Sequence, residues 1–367
     1  MHMNHKKTPN KWMLSLLLMF FLSIMFAACF YNSSYFTRIL HLSTTQNIAI
    51  ATSFFALIIG FILSFIRAQK KGSFKIKYFF ACYLGFFSIL STVISFCWPL
   101  LFLDISPIYC VLSPIFISIG LSFIAYKNAS KMPRLRFFDL DAKDFPARIV
   151  QLSDLHYNGF QSLAWTKHIV DTINSISPNI VVFTGDFLDI SSKHISSHID
   201  LLKKINCPVK VAVSGNHDFI SPYKDFLSVL NQIGFTCLDN DRLMVKSDKR
   251  FIQLIGLADN AKSDEKTRLF IRNCVDQCKE KNTTHILLRH KPIDVVKNLS
   301  MGIKLQLSGH THFGQIPPFV FLVPLFFRYC FGLYKLKKSY IYTSPGTGLW
   351  GPPMRLFSRS EITVLDV

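Results

Sequence analysis

The length and composition of the chain predict one globular domain together with a membrane region. Its 367 residues give room for roughly two to three domains, or for one domain plus a membrane region. Half of the residues are hydrophobic and 36 are Phe, which excludes an ordinary soluble protein and predicts that the apolar excess is localised. The formal net charge is +19, but the chain lacks the zinc-finger, RRM and basic recognition-helix patterns. We therefore expect anionic lipid rather than nucleic acid as the counterpart of the basic charge. The sequence does not predict a stable protein partner.

Four uncharged apolar segments in the first third of the chain predict transmembrane helices. At about 1.5 Å per residue each is long enough to span a bilayer core. The first is longer than the apolar core of a cleavable signal peptide, so we interpret it as a retained span. No ionisable residue lies in the middle of a span, which favours a membrane anchor over a transport pathway. The segments are approximately 12–31, 48–66, 78–98 and 105–126.

The distribution of cations predicts how the chain is oriented in the membrane. Lys and Arg cluster before the first segment, between the second and third, and after the fourth. Residues 1–126 are therefore expected to anchor the protein in the inner membrane, 127–146 to form a basic linker, and 147–367 to form a domain facing the cytoplasm. Because the fourth segment contains Pro107 and Pro114, an alternative is that it is a re-entrant element that does not cross the membrane. The domain would then lie on the opposite side.

After residue 147, short β-branched runs alternate with amphipathic helical stretches, a pattern typical of an α/β fold. Helices are predicted at 165–176, 194–205, 223–233 and 265–281. Strands are predicted at 148–152, 179–184, 209–213, 250–257, 284–288, 303–307, 339–342 and 361–365.

Five of these strands are followed directly by side chains that bind metal ions. In α/β sheets, ligands collect beyond the carboxyl ends of strands, and glycines there allow close approach. The candidate ligands are imidazoles, carboxylates and an amide oxygen, without a thiolate. This set favours a site for Mn, Fe or Zn rather than a structural zinc site rich in cysteine. Seven ligands are too many for one tetrahedral ion, which indicates two ions that share Asp186. The seven candidates are Asp154, His156, Asp186, Asn216, His290, His310 and His312.

The pattern Asp-x-His, Gly-Asp-x-x-Asp, Gly-Asn-His-Asp, His and Gly-His-x-His resembles the calcineurin-like metallophosphoesterase family from about residue 148 to the end. The resemblance implies a sandwich of two mixed β-sheets flanked by helices, here preceded by the all-α membrane region. It also implies two divalent ions, which we expect to be manganese, with iron or zinc as alternatives.

The resemblance assigns roles to individual residues. Asp186 would bridge the ions, and His217 would act as general acid or transition-state stabiliser, oriented by Asp218. Asp189 would support the site or shape its turn. The first ion would be held by Asp154, His156 and His312, and the second by Asn216, His290 and His310.

The apolar run 316–334, directly after the last ligands, predicts contact with lipid. Its prolines and its length disfavour a fifth membrane span. A buried core segment and a dimer contact are alternatives, but we favour an element that enters the membrane interface or grips acyl chains. The candidate substrate contacts are Phe319, Phe326, Phe327, Arg328 and Lys335.

The segments 313–315, 344–348, 353–355 and 361–364 resemble the membrane-associated subgroup of the family, which includes a UDP-2,3-diacylglucosamine hydrolase of lipid A biosynthesis. This resemblance implies a lipid-linked phosphodiester or pyrophosphate as substrate, with UDP-2,3-diacylglucosamine as the specific expectation. The alternatives are a membrane phosphodiesterase or phosphatase with another substrate, and a metal-free scaffold. The full ligand set together with His217 argues against the scaffold.

Overall fold

The computed structural model describes most of the chain, which divides into two compact units, Met1–Ser122 and Phe123–Val367. Part of the predicted segment 12–31 and most of the segment 48–66 lie outside the described residues. The described residues are 27–53, 55–56, 59, 74–140, 147–189, 192–219, 223–247 and 250–366.

The described part of the first unit is helical. Helix α1 covers residues 27–39 and α2 covers 44–53. Helix α3, Phe74–Cys97, continues into a 3-10 turn, and α4, Pro107–Ala129, extends from the first unit into the second. By length and composition, the segments Lys75–Phe102 and Pro107–Ala129 are able to span a membrane. They coincide with the predicted segments 78–98 and 105–126, and their orientation in a membrane stays a prediction.

The second unit contains two mixed β-sheets of six strands each. The first has the order β1-β12-β2-β3-β4-β5, and the second has the order β10-β11-β9-β8-β7-β6. The first is formed by β1 Arg134–Asp139, β2 Ile149–Leu152, β3 Ile180–Thr184, β4 Val209–Val213, β5 Thr236–Cys237 and β12 Glu361–Asp366. The second is formed by β6 Asp241–Ser247, β7 Arg250–Leu257, β8 Thr283–Arg289, β9 Leu305–Ser308, β10 Gly332–Leu336 and β11 Ser339–Thr343.

The core lies between the two sheets because alternate side chains of each strand face inward. On β7, Ile252 and Leu254 join this core, whereas Ile255 and Leu257 pack on the other face of the sheet with residues of α8. The predicted sandwich of two mixed sheets flanked by helices is confirmed. The helices of this unit, after α4, are α5 Leu163–Ile176, α6 Ser196–Leu202, α7 Tyr223–Ile233, α8 Glu265–Asp276, α9 Val295–Ser300 and α10 Phe319–Phe326.

The predicted linker 127–146 contains a strand, so the domain boundary at residue 147 was wrong. Strand β1 pairs in parallel with β12, and the ring of Phe138 lies 4.9 Å from that of Tyr342 in the core. The strand lies at the sheet edge and most of its side chains are exposed, so its basic sequence lacks the apolar pattern of the inner strands. Strands β5, β6 and β10 and helices α9 and α10 were also missed.

Parallel pairing brings the predicted ligand-bearing loops to the same edges of the sheets. Strands β2, β3 and β4 run parallel in the first sheet, as do β7, β8 and β9 in the second. The loops after β2, β3, β4, β8 and β9 carry all seven candidate ligands. This topology positions the site described next.

Candidate metal centre

The first group of candidate ligands consists of Asp154, His156 and His312, all buried. Nε2 of His156 lies 3.0 Å from Nε2 of His312 and 3.9 Å from Oδ1 of Asp154. Nε2 of His312 lies 3.4 Å from the same Asp154 oxygen. Three donor atoms from the loops after β2 and β9 therefore converge on one point.

The second group consists of Asp186, His290 and His310. Oδ2 of Asp186 lies 3.2 Å from Nε2 of His290, which in turn is 3.2 Å from Nδ1 of His310. The same Asp186 oxygen is 3.6 Å from Nε2 of His156 in the first group. Asp186 therefore lies between the two groups, where a bridging carboxylate is needed.

Asn216 contributes a buried oxygen without a protein partner among the described residues. Its Oδ1 accepts no hydrogen bond, and the residue lines the same cavity as Asp186 and His310. A buried carbonyl oxygen without a donor is unfavourable, and a bound cation would satisfy it. Asn216 therefore fits the predicted role of a ligand.

The backbone of the site is held in an uncommon conformation. Left-handed φ angles cost on the order of 1–3 kcal/mol each in residues other than glycine, and they cluster at functional sites. Hydrogen bonds between neighbouring loops hold them here, including Asp154 N–H to the Gly185 carbonyl at 2.9 Å and His156 N–H to the Asp186 carbonyl at 3.0 Å. The site is thus preorganised. The residues concerned, with their φ angles, are Asp154 (53°), His156 (45°), Asp186 (58°), His310 (72°) and His312 (48°).

Two motif glycines allow the loops to approach each other. A Cβ atom on Gly215 would collide with the carboxylate and backbone nitrogen of Asp186, and one on Gly309 would collide with the side chains of Ser153 and Asp154. These two glycines therefore permit close approach between neighbouring motifs.

Asp189 makes the contact to His217 that the sequence analysis assigned to Asp218. Oδ1 of Asp189 lies 2.8 Å from Nδ1 of His217 and 2.9 Å from Nδ1 of His156. The interpretation of Asp218 as the residue that orients His217 was wrong.

Asp218 organises the backbone beneath the site. Its carboxylate accepts hydrogen bonds from four backbone N–H groups at 2.8–3.2 Å. Burial and the nearby charge of Asp186 raise the pKa of Asp218 to about 7, although the N–H donors oppose the shift. Asp218 therefore joins the loops after β3 and β4. The four donors belong to Asp186, Phe187, Leu188 and Gly215.

Five of the seven candidate ligands line a cavity of about 260 Å³ that has a polar and an apolar wall. His156, Asp186, Asn216 and His217 belong to the polar wall. The ring of Phe327 lies 5.5 Å from that of His310, and the rings of Phe319 and Trp350 are 6.2 Å apart. The apolar wall is formed by Phe319, Val323, Phe327 and Trp350.

Comparison with known proteins agrees with this geometry. The family model for calcineurin-like phosphoesterases matches residues 147–314. The chain is 32% identical to an uncharacterised metallophosphoesterase of Campylobacter jejuni over 263 residues, which are 70% of this chain and 69% of that relative. The chain belongs to the calcineurin-like metallophosphoesterase family. It is therefore a metal-dependent phosphoester hydrolase, of a family that generally uses a dinuclear metal centre.

Two further similarities concern a membrane protein and a solved structure. The metallophosphoesterase is 30% identical over 251 residues to a transmembrane protein with metallophosphoesterase domain of Danio rerio, covering 64% of this chain and 57% of that relative. A dimetal phosphatase structure from Danio rerio matches with a TM-score of 0.39 and 11% identity, over 55% of this chain and 88% of that one.

The metallophosphoesterase site holds two close histidine pairs, each with one basic and one non-basic ring. Burial opposes protonation of His156 and His290, but nearby carboxylates outweigh it and raise their pKa values to about 9 and 10. Burial, reinforced by the neighbouring ring of each pair, lowers the pKa of His312 to about 4 and that of His310 to about 3. The carboxylates thus favour a proton on His156 and His290, whereas burial disfavours one on His310 and His312.

The structure brings only part of the predicted substrate contacts to the cavity. Phe319 and Phe327 line it. Phe326, at the end of α10, is 79% exposed, and the Arg328 guanidinium lies over the Tyr329 ring at 5.7 Å. Neither belongs to the residues that line the cavity.

The prediction for Lys335 was wrong. On β10 it pairs with Tyr340, whereas the end of β11 nearest the metal centre is Thr343. Lys335 therefore lies toward the opposite end of the hairpin. Lys335 directly follows the apolar run in sequence, but β10 runs away from the metal centre from Gly332, which pairs with Thr343.

Two further contacts at the site escaped the sequence analysis. Lys291, next to His290, places Nζ 2.6 Å from Oδ2 of Asp259 in the loop after β7. Arg355 is fully buried, and its Nη2 lies 3.3 Å from Nδ1 of His312. Asp259 could have been found because it follows a strand end, whereas no local pattern marks Arg355.

Proposed function

We propose that the protein hydrolyses a lipid-linked phosphodiester or pyrophosphate at a membrane surface. The observation that carries this proposal is the cavity lining, in which candidate metal ligands occur together with Phe319, Val323, Phe327 and Trp350. A phosphate group needs only the polar wall. An apolar wall of this kind favours a substrate with an apolar group close to its phosphate.

The ligand set supports two hard or borderline divalent ions, and we propose manganese, with iron or zinc as alternatives. When bound, two such ions activate water and stabilise the charge of a phosphoryl group. Asp186 lies between the two groups of ligands. The chain would hold one ion with Asp154, His156 and His312, and the other with Asn216, His290 and His310.

His217 is the candidate proton donor or stabiliser of the departing oxygen. Its ring lines the cavity, and its Nδ1 is engaged by Asp189. Proton transfer by His217 therefore uses Nε2. Asp189 is a positioning residue in this scheme.

We propose a membrane location with the catalytic domain on the cytoplasmic side of the inner membrane. Two helices of sufficient length and apolarity support membrane association, as does the relative named as a transmembrane protein. The orientation rests on the basic segments that precede and follow the apolar ones.

The specific substrate that we propose is UDP-2,3-diacylglucosamine, cleaved to UMP and 2,3-diacylglucosamine 1-phosphate. The test incubates the full chain, loaded with manganese, with this lipid in mixed micelles and measures UMP release. Parallel reactions contain phosphatidic acid and phosphatidylglycerol phosphate, with His217→Ala as the inactive control. UMP release that depends on His217 is expected. Release of product only from another lipid would overturn the specific substrate, and turnover unaffected by His217→Ala would overturn the mechanism.

A further inference from the structure

We propose that α10 and the loop of residues 350–357 together form a face that lies in the surface of the phospholipid bilayer. This apolar face consists of Phe319, Phe321, Leu322, Leu325, Phe326 and Phe357. It would give the second unit a membrane contact in addition to the candidate spanning helices.

Composition and exposure mark α10 as an interfacial element. All eight of its residues, Phe-Val-Phe-Leu-Val-Pro-Leu-Phe, are apolar. Leu325 and Phe326 are 77% and 79% exposed, and Phe357 in the neighbouring loop is 65% exposed. Contiguous exposure of this kind marks an interaction surface, since isolated exposed apolar residues are ordinary but clusters are not.

The loop and α10 are joined into one surface by specific contacts. The rings of Phe321 and Phe357 lie 6.4 Å apart. Gln315, just before α10, donates from Nε2 to the carbonyl oxygens of Trp350 and Pro352 at 2.7 and 2.8 Å. The face is therefore held together by its own packing and hydrogen bonds.

The loop also contacts the end of a candidate membrane-spanning helix, which identifies the bilayer as the occupant of the face. The Arg355 N–H donates to the carbonyl of Ala125 at 2.8 Å, within the second unit. Ala125 lies four residues before the end of α4, about 6 Å along the helix axis at 1.5 Å per residue. If α4 crosses the bilayer, this contact places the loop at the depth of the lipid headgroups.

Charge at the same end of α4 fits a surface of anionic lipids. Three exposed cations, Lys127, Lys131 and Arg136, follow one another where α4 ends and β1 begins. Basic residues just outside a membrane segment are attracted to anionic headgroups. A second copy of this chain, also basic, would repel this region.

The apolar face is continuous with the cavity, because Phe319 belongs to both. A lipid in the bilayer would therefore reach the metal centre without passing through water. This consequence rests on the proposed function, whereas the membrane contact itself does not.

The experiment introduces a tryptophan at Leu325 or Phe357 and measures quenching of its fluorescence by lipids brominated on the acyl chains. The full-length protein is placed in nanodiscs of phosphatidylcholine and phosphatidylglycerol, and the wild-type emission serves as the baseline. Leu269→Trp is the matched control, since Leu269 is 50% exposed on α8 and is not one of the residues that form the face. In brominated lipid, we expect the fluorescence contributed by the introduced tryptophan to be lost in Leu325→Trp and Phe357→Trp. The fluorescence contributed by the introduced tryptophan in Leu269→Trp should persist.

Two results would overturn the proposal. One is equal quenching at positions 325, 357 and 269. The other is protection of positions 325 and 357 from aqueous acrylamide without quenching by brominated lipid, which would show that protein covers the face.

A second measurement separates membrane contact from catalysis. Leu325→Asp/Phe357→Asp should lose turnover of the lipid substrate in nanodiscs and keep turnover of water-soluble bis(p-nitrophenyl) phosphate, with Leu269→Asp as the control. Undiminished lipid turnover in the double variant would contradict the route from the bilayer to the cavity. Absence of all phosphoesterase activity in the wild type would contradict the proposed function and leave the quenching result intact.

Discussion

Oδ1 of Asp189 lies 2.8 Å from Nδ1 of His217, and the same oxygen is 2.9 Å from Nδ1 of His156. One carboxylate thus orients both the candidate proton-transfer ring and a candidate metal ligand. Burial would raise the pKa of Asp189, but the two imidazoles outweigh it and hold the pKa below its usual range. Asp189 is therefore ionised, and the two histidine rings that it positions stabilise its negative charge.

Replacing Asp189 with Asn should reduce both turnover and metal binding. The amide keeps the size of the carboxylate but loses the charge that fixes both rings, and loss of such support typically costs about 10–100-fold in metal affinity or activity. The measurements are kcat on bis(p-nitrophenyl) phosphate and a metal titration. Asp171→Asn is the control, because Asp171 forms an exposed pair with Lys167. Wild-type kcat and metal affinity in Asp189→Asn would contradict the positioning role.

Asn216→Ala should weaken metal binding without destabilising the metal-free protein. The buried Oδ1 has no hydrogen-bond donor to lose among the described residues. A 10–100-fold lower affinity would remove about 1.4–2.7 kcal/mol of metal-induced stabilisation at saturating metal. Thermal unfolding of the full chain with and without manganese measures both effects.

The control for this variant is Asn273→Ala, at an exposed position of α8. A drop in the unfolding temperature of metal-free Asn216→Ala, with an unchanged response to manganese, would assign Asn216 a structural role instead.

The convergence of the candidate ligands was predictable because it depends on strand ends, which leave a local pattern. Asp154, Asp186 and Asn216 each follow a buried parallel strand, and parallel strands deliver their carboxyl ends to one edge. Asp189 and Asp218 were harder to separate. Asp218 adjoins His217 in sequence, whereas Asp189 lies 28 residues earlier, and only the folded loops show that Asp189 contacts the ring.

The incorrect or missing sequence predictions share a physical origin, because the features concerned depend on contacts between distant parts of the chain. Strand β1 is stabilised by pairing with β12, more than 200 residues away, so its own basic sequence gives no strand pattern. Lys335 was misplaced because the direction of β10, which is set by pairing with β11, carries this residue away from the metal centre. Arg355 is buried by a loop whose course no periodicity predicts.

Metal binding at neutral pH should release about two protons, one from each histidine pair. His156 and His290 have pKa values raised to about 9 and 10, above the ordinary 6.5, so both are protonated at pH 7 without metal. Their contribution to the free energy of unfolding is fully present below about pH 6.5 and is lost as pH rises through 9–10. Metal ligands must be unprotonated, so the apparent metal affinity should rise with pH over the same range.

Proton release is measured by adding manganese to the full chain in weakly buffered solution at several pH values. Asn216→Ala serves as a comparison, since it lacks a ligand but keeps all four histidines. A metal affinity that does not change between pH 6 and 8 would contradict the protonation of His156 and His290.

Arg355→Lys should destabilise the protein and weaken the ion site formed by Asp154, His156 and His312. Burial lowers the pKa of Arg355 to about 10, so it remains a cation at neutral pH. Nη2 donates to the carbonyl oxygens of Pro345 and Gly348 at 2.8 Å and lies 3.3 Å from Nδ1 of His312. Lysine lacks the planar fork that reaches these partners together, and an unpaired buried carbonyl costs about 1–3 kcal/mol.

The readouts for Arg355→Lys are the free energy of unfolding and a two-step metal titration of the full chain. A purely structural role would lower stability and leave both binding steps unchanged, whereas positioning of His312 should weaken one step selectively. Arg268→Lys is the matched control, because Arg268 forms an ion pair with Glu265 on the exposed side of α8. Equal weakening of both steps would contradict a role confined to the first ligand group.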